Sequence, residues 1–277
     1  MIVLSYIQAE QLLNAKNKHS QINLSLDLGL SETPIRLGEN VIFSDDEFLQ
    51  WETIEEIRDK DNSCFFIENG VAVAIQSYSE EFGRVYTLYP TNSAPTMLVS
   101  GIPMHRIKDT NPWEDTISKL KAFGNMEGHV LDTTTGLGYT AILAAEKAAK
   151  VTTVEIDPTV REIARKNPWS SQLFTNPKIE LVIGDSNDLI CEFESNTFEG
   201  IIHDPPMFSL AGNLYSLNFY LQAHRILKTR GRMFHYIGNP ESRSGSRVTR
   251  GVVERLKKAG FSQVIPKPKA FGVLGLK

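Results

Sequence analysis

Four acidic side chains each follow a short apolar segment in the second half of the chain, namely Asp132, Glu155, Asp185 and Asp204. Carboxylates accept hydrogen bonds from hydroxyl and amino groups, and they attract positive charge. Glu155 comes 23 residues after Asp132, a spacing that suits an acid binding the two hydroxyls of a ribose. An isolated acid at a strand end is usually a helix cap or a solvated loop residue, but four in succession predict a shared binding site.

A glycine turn follows the first of these acids, in the segment Asp132-Thr-Thr-Thr-Gly-Leu-Gly. Gly136 and Gly138 can adopt positive φ and let the backbone approach a ligand closely. The N–H groups at the start of the next helix favour electron-rich ligand groups. The pattern differs from the dinucleotide fingerprint, because Tyr139 and Thr140 follow the second glycine. By itself, the turn is also compatible with an α/β protein that binds no cofactor.

Strand and helix patterns alternate from residue 129 to the end of the chain. This alternation predicts an α/β fold with a doubly wound, mostly parallel seven-stranded sheet and helices on both faces. Ligands of such sheets bind beyond the carboxyl ends of the strands, where the four acids are expected. The predicted strands are 129–132, 151–155, 179–185, 200–204, 232–237, 262–265 and 273–276, and the predicted helices are 141–149, 158–167, 214–227 and 248–259.

The chain is expected to have three segments. Residues 1–103 alternate apolar and polar side chains in places, as over 21–30, and they contain the turn Glu68-Asn69-Gly70, which predicts a small β-rich N-terminal domain. Residues 104–128 form a connector whose helix is expected to begin at Pro112, and residues 129–277 form the sheet domain. The first domain carries no catalytic constellation, so substrate binding, dimerisation and shielding of the second domain all stay open as its task.

Composition excludes several classes of protein. Charged residues make up 22% and hydrophobic residues 41% of the chain, as in a soluble globular protein. No apolar run reaches the about 18 residues needed to span a membrane, and the N-terminus lacks the basic region of a signal peptide, which favours a cytoplasmic protein. Cys64 and Cys191 lie far apart among apolar neighbours, so we expect reduced core thiols and no metal site. The oligomeric state is open, and a homo-oligomer is compatible with the sequence.

Residues 129–277 resemble the class I, Rossmann-like S-adenosylmethionine-dependent methyltransferases, and the whole chain is similar to an uncharacterised archaeal family of predicted methyltransferases. The closer likeness lies in Asp132-Thr-Thr-Thr-Gly-Leu-Gly-Tyr-Thr, Asn167-Pro-Trp-Ser and His203-Asp-Pro-Pro-Met-Phe-Ser-Leu-Ala-Gly. The resemblance implies S-adenosylmethionine as cofactor. Because this ligand carries a sulfonium and an ammonium group, an acidic rim suits it, whereas four carboxylates would repel the pyrophosphate of a nicotinamide cofactor.

The resemblance also implies a position for each cofactor contact. Asp132 would face the methionine portion, with Gly136 and Gly138 beneath it. Glu155 would hold the ribose hydroxyls, and Asp185 would meet the adenine amino group. The full set of implied cofactor contacts is Asp132, Thr133, Gly136, Gly138, Tyr139, Glu155, Ile156, Asp157, Gly184, Asp185 and Ser186.

The segment Asp204-Pro205-Pro206 resembles the Asp/Asn-Pro-Pro-aromatic motif of methyltransferases that act on an amino group conjugated to a ring. A carboxylate and a backbone carbonyl that accept both N–H bonds of this nitrogen would direct its lone pair at the methyl group, which implies a catalytic role for the three residues. The chain departs from the motif, because Met207 occupies the aromatic position and Phe208 comes one residue later. The other expected substrate contacts are Asn239, Arg243 and Arg247.

Basic residues cluster between positions 225 and 258, which indicates contact with backbone phosphates of a nucleic acid. A solvated basic face is the competing interpretation. Residues 1–120 contain 18 acidic and 9 basic side chains, whereas residues 121–277 contain 15 and 20. The acidic first segment therefore argues against a wholly basic nucleic-acid channel.

These features favour a methyltransferase that modifies a nucleobase amino group, in RNA rather than DNA. One alternative is an aminopropyltransferase that makes polyamines from decarboxylated S-adenosylmethionine. Those enzymes carry a turn resembling Gly-Gly-Gly-Asp-Gly, which the turn after Asp132 does not match. The other alternative is a non-catalytic cofactor-binding scaffold, and the intact Asp204-Pro-Pro segment argues against it.

Overall fold

The structure is a computed structural model that describes residues 1–208, 210–239 and 241–277, without the side chains of residues 243 and 244. The chain forms two compact units. The first comprises Met1–Trp113 together with Thr159–Ser171, and the second comprises Glu114–Pro158 together with Gln172–Lys277. The domain boundaries expected at residues 103 and 128 stay predictions.

The first unit is rich in β-strands, as expected. Its described residues form three small antiparallel sheets, with strand orders β1-β6-β7, β2-β3-β4-β5 and β11-β10-β9-β8. A buried apolar cluster that includes Leu12, Ile35 and Ile54 forms its core. The elements are β1 (Ile2–Leu4), α1 (Tyr6–Ala15), β2 (Gln21–Leu24), β3 (Thr33–Leu37), β4 (Val41–Ser44), β5 (Glu47–Leu49), α2 (Trp51–Arg58), β6 (Phe65–Glu68), β7 (Val71–Ala74), β8 (Gln76–Ser79), β9 (Arg84–Tyr89), β10 (Thr96–Val99) and β11 (Ile102–Pro103).

The hairpin predicted at Glu68-Asn69-Gly70 joins β6 and β7. Both turn residues have positive φ, 53° at Asn69 and 73° at Gly70, which matches the twist of a two-residue hairpin. The strand predicted over 21–30 was too long, because β2 ends at Leu24. The Asp27 carboxylate accepts backbone N–H bonds from Leu30 at 3.0 Å and Ser31 at 2.8 Å, and this local loop replaces the strand.

The second unit contains the predicted sheet. Within the described residues it has seven strands in the order β14-β13-β12-β15-β16-β18-β17. The strands from β14 to β16 are mutually parallel, and β18 runs antiparallel to both neighbours. The elements are α3 (Pro112–Phe123), β12 (His129–Asp132), α4 (Tyr139–Ala145), β13 (Lys150–Glu155), α5 (Pro158–Arg165), α6 (Ser171–Thr175), β14 (Ile179–Ile183), α7 (Ser186–Glu192), β15 (Phe198–His203), α8 (Leu217–Ile226), β16 (Leu227–Tyr236), α9 (Arg243–Lys258), β17 (Gln263–Lys267) and β18 (Gly272–Leu276), and Pro112 and Trp113 of α3 and most of α5 belong to the first unit.

Helices cover both faces of this sheet, as neighbouring residues of β15 show. A Cβ on Gly200 would clash with the Phe123 ring of α3, whereas Ile201 belongs to a core cluster with Phe219 of α8. Successive residues of a strand point to opposite faces, so α3 and α8 lie on opposite sides. The strand order reverses beside β12, which pairs with β13 on one side and β15 on the other. A ligand crevice is expected at this point.

Other expectations needed correction. Cys64 is buried, but Cys191 is exposed near the end of α7, a helix that the sequence analysis missed. Both thiols are free. The last long helix begins at Arg243 instead of residue 248, because the Ser242 hydroxyl accepts an N–H bond from Gly245 and caps it. Every helix in the described part of the chain is too short or too polar to cross a lipid bilayer.

Candidate active site

Asp132 ends β12 as a fully buried acid. Its Oδ2 accepts a hydrogen bond from Thr153 Oγ1 at 2.8 Å, whereas Oδ1 has no hydrogen-bond partner among the described residues. Burial raises the pKa of Asp132 to about 7, with a smaller contribution from the negative charges of Asp204 and Glu155. A buried oxygen without a donor is unfavourable, and Oδ1 can accept a further hydrogen bond.

Glu155 ends β13 and organises the glycine turn. Its two carboxylate oxygens accept backbone N–H bonds, from Gly136 at 2.8 Å and from Asp157 at 3.1 Å. Burial raises the pKa of Glu155 to about 7. Gly138 has φ of 79° and precedes the first residue of α4, and a Cβ there would lie 2.7 Å from Leu173. The turn therefore requires glycine at this position for both conformation and space.

Asp185, the acid that follows β14, forms its hydrogen bond with a residue close to it in sequence. Asp185 caps α7, because its Oδ1 accepts the N–H of Asn187 at 2.7 Å. The neighbouring Ser186 hydroxyl donates to the Thr133 carbonyl at 2.5 Å, so it braces the turn after β12. Gly184 donates its N–H to the Glu155 carbonyl. Of the other implied cofactor residues, Tyr139 and Asp157 are buried and Ile156 is exposed.

Two threonines connect the glycine turn to the end of β15. Thr134 Oγ1 donates to the Asp204 carbonyl at 2.7 Å, and Thr133 Oγ1 lies 2.7 Å from His203 Nδ1. His203 Nε2 lies 2.9 Å from the Leu214 carbonyl, which can only accept, so Nε2 is the donor nitrogen. Burial lowers the pKa of His203 to about 3. His203 is therefore a neutral core residue that positions Thr133.

Asp204 is paired with a lysine that the sequence analysis did not single out. Lys119 of α3 donates to Asp204 Oδ2 at 2.6 Å and lies 2.9 Å from Asp115 Oδ2. The side chains of Asp115, Lys119 and Asp204 are 0%, 3% and 20% exposed. The Lys119 ammonium also lies 4.2 Å from the centre of the Tyr236 ring. Asp115 and Lys119 are four residues apart on a predicted helix, and this i,i+4 pair was the available signal.

The loop after Asp204 exposes apolar side chains beside it. Pro205 is buried, and the Pro206 carbonyl accepts a hydrogen bond from the Tyr215 hydroxyl at 3.0 Å. Met207 is 55% exposed and Phe208 is 51% exposed. The Phe208 ring packs edge-on against Tyr215 at 5.4 Å. Phe208, and not the residue directly after the prolines, therefore presents the aromatic surface of this loop.

The other expected substrate contacts lie after β16. Asn239 is exposed, and its side chain accepts the N–H of Glu241. Arg247 is exposed on α9, while the side chain of Arg243 lies outside the described residues. Several members of the basic cluster have structural partners instead: Arg225 binds the carbonyls of residues 190, 191 and 193, Lys228 pairs with Glu199, and Arg232 binds the Phe123 carbonyl.

The raised pKa values of Asp132 and Glu155, about 7 for each, predict how stability depends on pH. A buried acid whose folded pKa exceeds its unfolded value binds more protons in the folded state, so its contribution to stability is present at low pH and lost as pH rises through the folded pKa. The double variant Asp132→Asn/Glu155→Gln carries no charge at these positions. Its melting temperature minus that of the wild type should therefore increase between about pH 5 and pH 8, as measured by calorimetry without ligand. A difference that stays constant over this range contradicts the assignment.

Comparison with known proteins shows the family to which this chain belongs. Residues 116–258 match the family model described as methyltransferase small domain. The chain is 38% identical over 290 residues to the uncharacterized protein MJ1233 of Methanocaldococcus jannaschii, covering 100% of this chain and 97% of that protein.

Two solved structures share the fold. A spermidine synthase in complex with the transition-state analogue AdoDATO has a TM-score of 0.60 and 21% identity. The match covers 75% of this chain and 76% of the synthase chain. Spermidine synthase from Thermotoga maritima has a TM-score of 0.58 and 20% identity, with 75% of each chain covered. At these identities the likeness concerns the fold alone.

The family match spans the elements that carry Lys119, Asp132, Glu155 and Asp204. The unpartnered, buried Oδ1 of Asp132 fits a cofactor that carries positive charge and N–H donors. The fold, a mostly parallel sheet with a reversal of strand order beside β12, is the one expected for such an enzyme. The chain therefore belongs to the methyltransferase small domain family and is an S-adenosylmethionine-dependent methyltransferase.

Proposed function

We propose that the protein methylates an amino nitrogen on a nucleobase of RNA, and that Asp204-Pro205-Pro206 orients this acceptor. The proposal is supported by which hydrogen-bond acceptors around Asp204 are already occupied and which are not. The Asp204 carbonyl is occupied by Thr134, the Pro206 carbonyl by Tyr215, and Asp204 Oδ2 by Lys119. The hydrogen bonds of the described residues include none to Asp204 Oδ1 or to the Pro205 carbonyl.

Two free acceptors suit an amino group, which has two N–H bonds to donate. A nitrogen conjugated to a ring is a poor nucleophile because its lone pair is delocalised. Hydrogen bonds from both N–H groups to Asp204 Oδ1 and the Pro205 carbonyl would favour a pyramidal nitrogen and direct its lone pair. A hydroxyl or thiol acceptor would leave one of the two oxygens unused. The protein then contributes position and electrostatic stabilisation.

The cofactor would lie along the ends of β12, β13 and β14. Bound S-adenosylmethionine supplies a methyl group on a positively charged sulfur. Asp132 would accept from its methionine portion, Glu155 from its ribose hydroxyls, and the exposed Ile156 would border the adenine. The implied contacts of Asp185 and Ser186 are compatible with their roles as helix cap and turn brace, since Asp185 uses one oxygen for the cap.

The preference for RNA is supported by exposed basic residues on α9. Arg247, Arg250, Lys257 and Lys258 are exposed and recur at spacings that place them on one side of the helix. Loss of the gene product should leave one nucleobase position unmethylated. Mass spectrometry of digested RNA from cells lacking the protein tests this directly, and restoration of the mark by purified protein should follow. An unchanged set of methylated nucleosides contradicts the proposal.

Arg247→Ala should weaken binding to RNA extracted from those cells without changing cofactor affinity. Log affinity falls as log salt concentration rises, and loss of one phosphate contact makes this dependence less steep by about 1. The measurement is fluorescence anisotropy over a salt series. Lys18→Ala, which removes an exposed cation from the first unit, is the matched control and should leave the slope unchanged. Equal slopes for Arg247→Ala and wild type argue for a solvated basic face.

A second candidate is aminopropyl transfer, which the fold likeness to spermidine synthases over 75% of the chain favours. In that reaction an amine would displace the sulfonium sulfur at the propyl carbon of decarboxylated S-adenosylmethionine, so that a carbon–nitrogen bond forms, the carbon–sulfur bond breaks to release a neutral thioether, and the new ammonium loses a proton to solvent. Asp204 would orient the amine. The two candidates differ in the cofactor they require. Methyl transfer uses a cofactor with its carboxylate intact, and aminopropyl transfer uses the form without it.

A further inference from the structure

Lys119 is a buried cation that donates a hydrogen bond to one carboxylate, forms an ion pair with a second and lies over an aromatic ring. An ammonium has three donors, and this one faces Asp204 Oδ2, Asp115 Oδ2 and the Tyr236 ring. Burial lowers the pKa of Lys119, but the carboxylates of Asp204 and Asp115 outweigh this effect and raise it above its ordinary value. The side chain is therefore a permanent positive charge in a site that is otherwise acidic.

We propose that Lys119, itself held by Asp115, is a positioning residue that keeps Asp204 ionised and fixes which carboxylate oxygen faces the acceptor. This inference rests on the proposed role of Asp204 in orienting the acceptor. A carboxylate on a single rotatable arm can present either oxygen. Because Lys119 binds Oδ2 while Thr134 binds the Asp204 carbonyl, both the side chain and the backbone of Asp204 are fixed, and Oδ1 is the oxygen left for the acceptor.

The ionised state matters because a carboxylate only accepts hydrogen bonds, whereas a protonated carboxyl carries an O–H donor on one of its two oxygens. Burial raises the pKa of Asp204, and Asp115 adds to the rise, while Lys119 opposes it. Among the described residues, the titratable groups that interact with Asp204 are Lys119 and Asp115 from α3, Asp132 from β12 and Tyr215 from the 3₁₀ helix Gly212–Tyr215, while Tyr236 of β16 contacts Lys119. Lys119 is the one cation among them.

The direct test is a titration of the Asp204 carboxyl by ¹³C NMR in the cofactor-free protein. The Asp204 resonance is identified because it is missing from the spectrum of Asp204→Asn. Asp132→Asn is used as the background, because Asp132 titrates nearby. Lys119→Met alone would leave two buried acids together, so the test variant is Lys119→Met/Asp115→Asn, which preserves the net charge of the cluster. Its Asp204 midpoint should rise by at least about one pH unit, which is about 10-fold in proton affinity.

The control is Lys228→Met, which breaks the exposed ion pair with Glu199 and should leave the Asp204 midpoint unchanged. Lys119→Arg retains the charge and should keep the midpoint near the wild-type value. An unchanged midpoint in the folded double variant overturns the proposal. If the double variant does not fold, the wild-type titration decides, because a midpoint above about pH 7 would show that Lys119 does not keep Asp204 ionised.

A second readout follows transfer of tritiated methyl groups from S-adenosylmethionine to RNA extracted from cells lacking the protein. The double variant should lose about 10- to 100-fold in kcat near neutral pH and recover part of it as pH rises, with an unchanged KM for the cofactor. A kcat that falls equally at every pH contradicts the proposal. If the wild type methylates no RNA, the proposed function fails, while the NMR titration still reports on Lys119.

Discussion

Asp204→Ala is expected to abolish methyl transfer while S-adenosylmethionine affinity stays at the wild-type level. The variant removes the oxygen proposed to accept an N–H bond from the acceptor, and loss of one preorganised hydrogen-bonding group at a reacting centre typically costs about 10²- to 10³-fold in rate. It leaves the Asp204 carbonyl and its bond from Thr134 in place. Lys119 keeps its contact with Asp115, so we expect the fold to survive. Initial rates on RNA and calorimetric cofactor binding measure the two effects separately.

The matched control for this variant is Glu192→Ala, which removes an exposed acid at the end of α7 and should change neither rate nor affinity. Circular dichroism confirms that each variant is folded. Weaker cofactor binding by Asp204→Ala, with normal turnover at saturating cofactor, would reject the assigned role. That result would place Asp204 in the cofactor site instead of the acceptor site.

Glu155→Ala is expected to show the opposite pattern, a loss of cofactor affinity of about 100-fold, or about 2.7 kcal/mol. Hydrogen bonds to an ionised group contribute about 1.5–3 kcal/mol each, and a ribose would provide two. The variant also frees the N–H groups of Gly136 and Asp157 that the carboxylate now binds, which loosens the glycine turn. Calorimetric titration with S-adenosylmethionine gives the affinity.

Glu180→Ala is the control for Glu155→Ala, because Glu180 also lies on a strand of the sheet but forms an exposed ion pair with Lys150. It should bind the cofactor normally. Glu155→Gln should lie between wild type and Glu155→Ala, since an amide retains one acceptor oxygen. A Glu155→Ala affinity within about threefold of the wild type, less than half the value of one charged hydrogen bond, would show that Glu155 does not hold the ribose.

Much of the second unit was predictable from sequence because local signals there agree with the global fold. Apolar segments that end in an acid, separated by helix-forming segments, define a parallel sheet whose strand ends meet at one edge. The positions of Asp132 and Glu155 followed from this rule, and their mutual electrostatic influence is consistent with it. His203, the residue before Asp204, is buried in the core because successive residues of a strand point to opposite sides.

The features that the sequence did not predict depend on contacts that are distant in the chain. Lys119 lies 85 residues before Asp204, and nothing local to either residue indicates that they meet. The segment Thr159–Ser171 joins the first unit although it follows β13, and there the Trp169 indole donates to the Leu28 carbonyl at 3.0 Å. Cys191 was placed in the core by its neighbours, but α7 turns it to solvent.

The most direct test of this account is calorimetric titration of the purified protein with S-adenosylmethionine and, separately, with its decarboxylated form. If the negatively charged edge of the sheet serves a methyltransferase, the intact cofactor binds at one site per chain, and the decarboxylated form binds more weakly. Tighter binding of the decarboxylated form, or no binding of either compound, would contradict it.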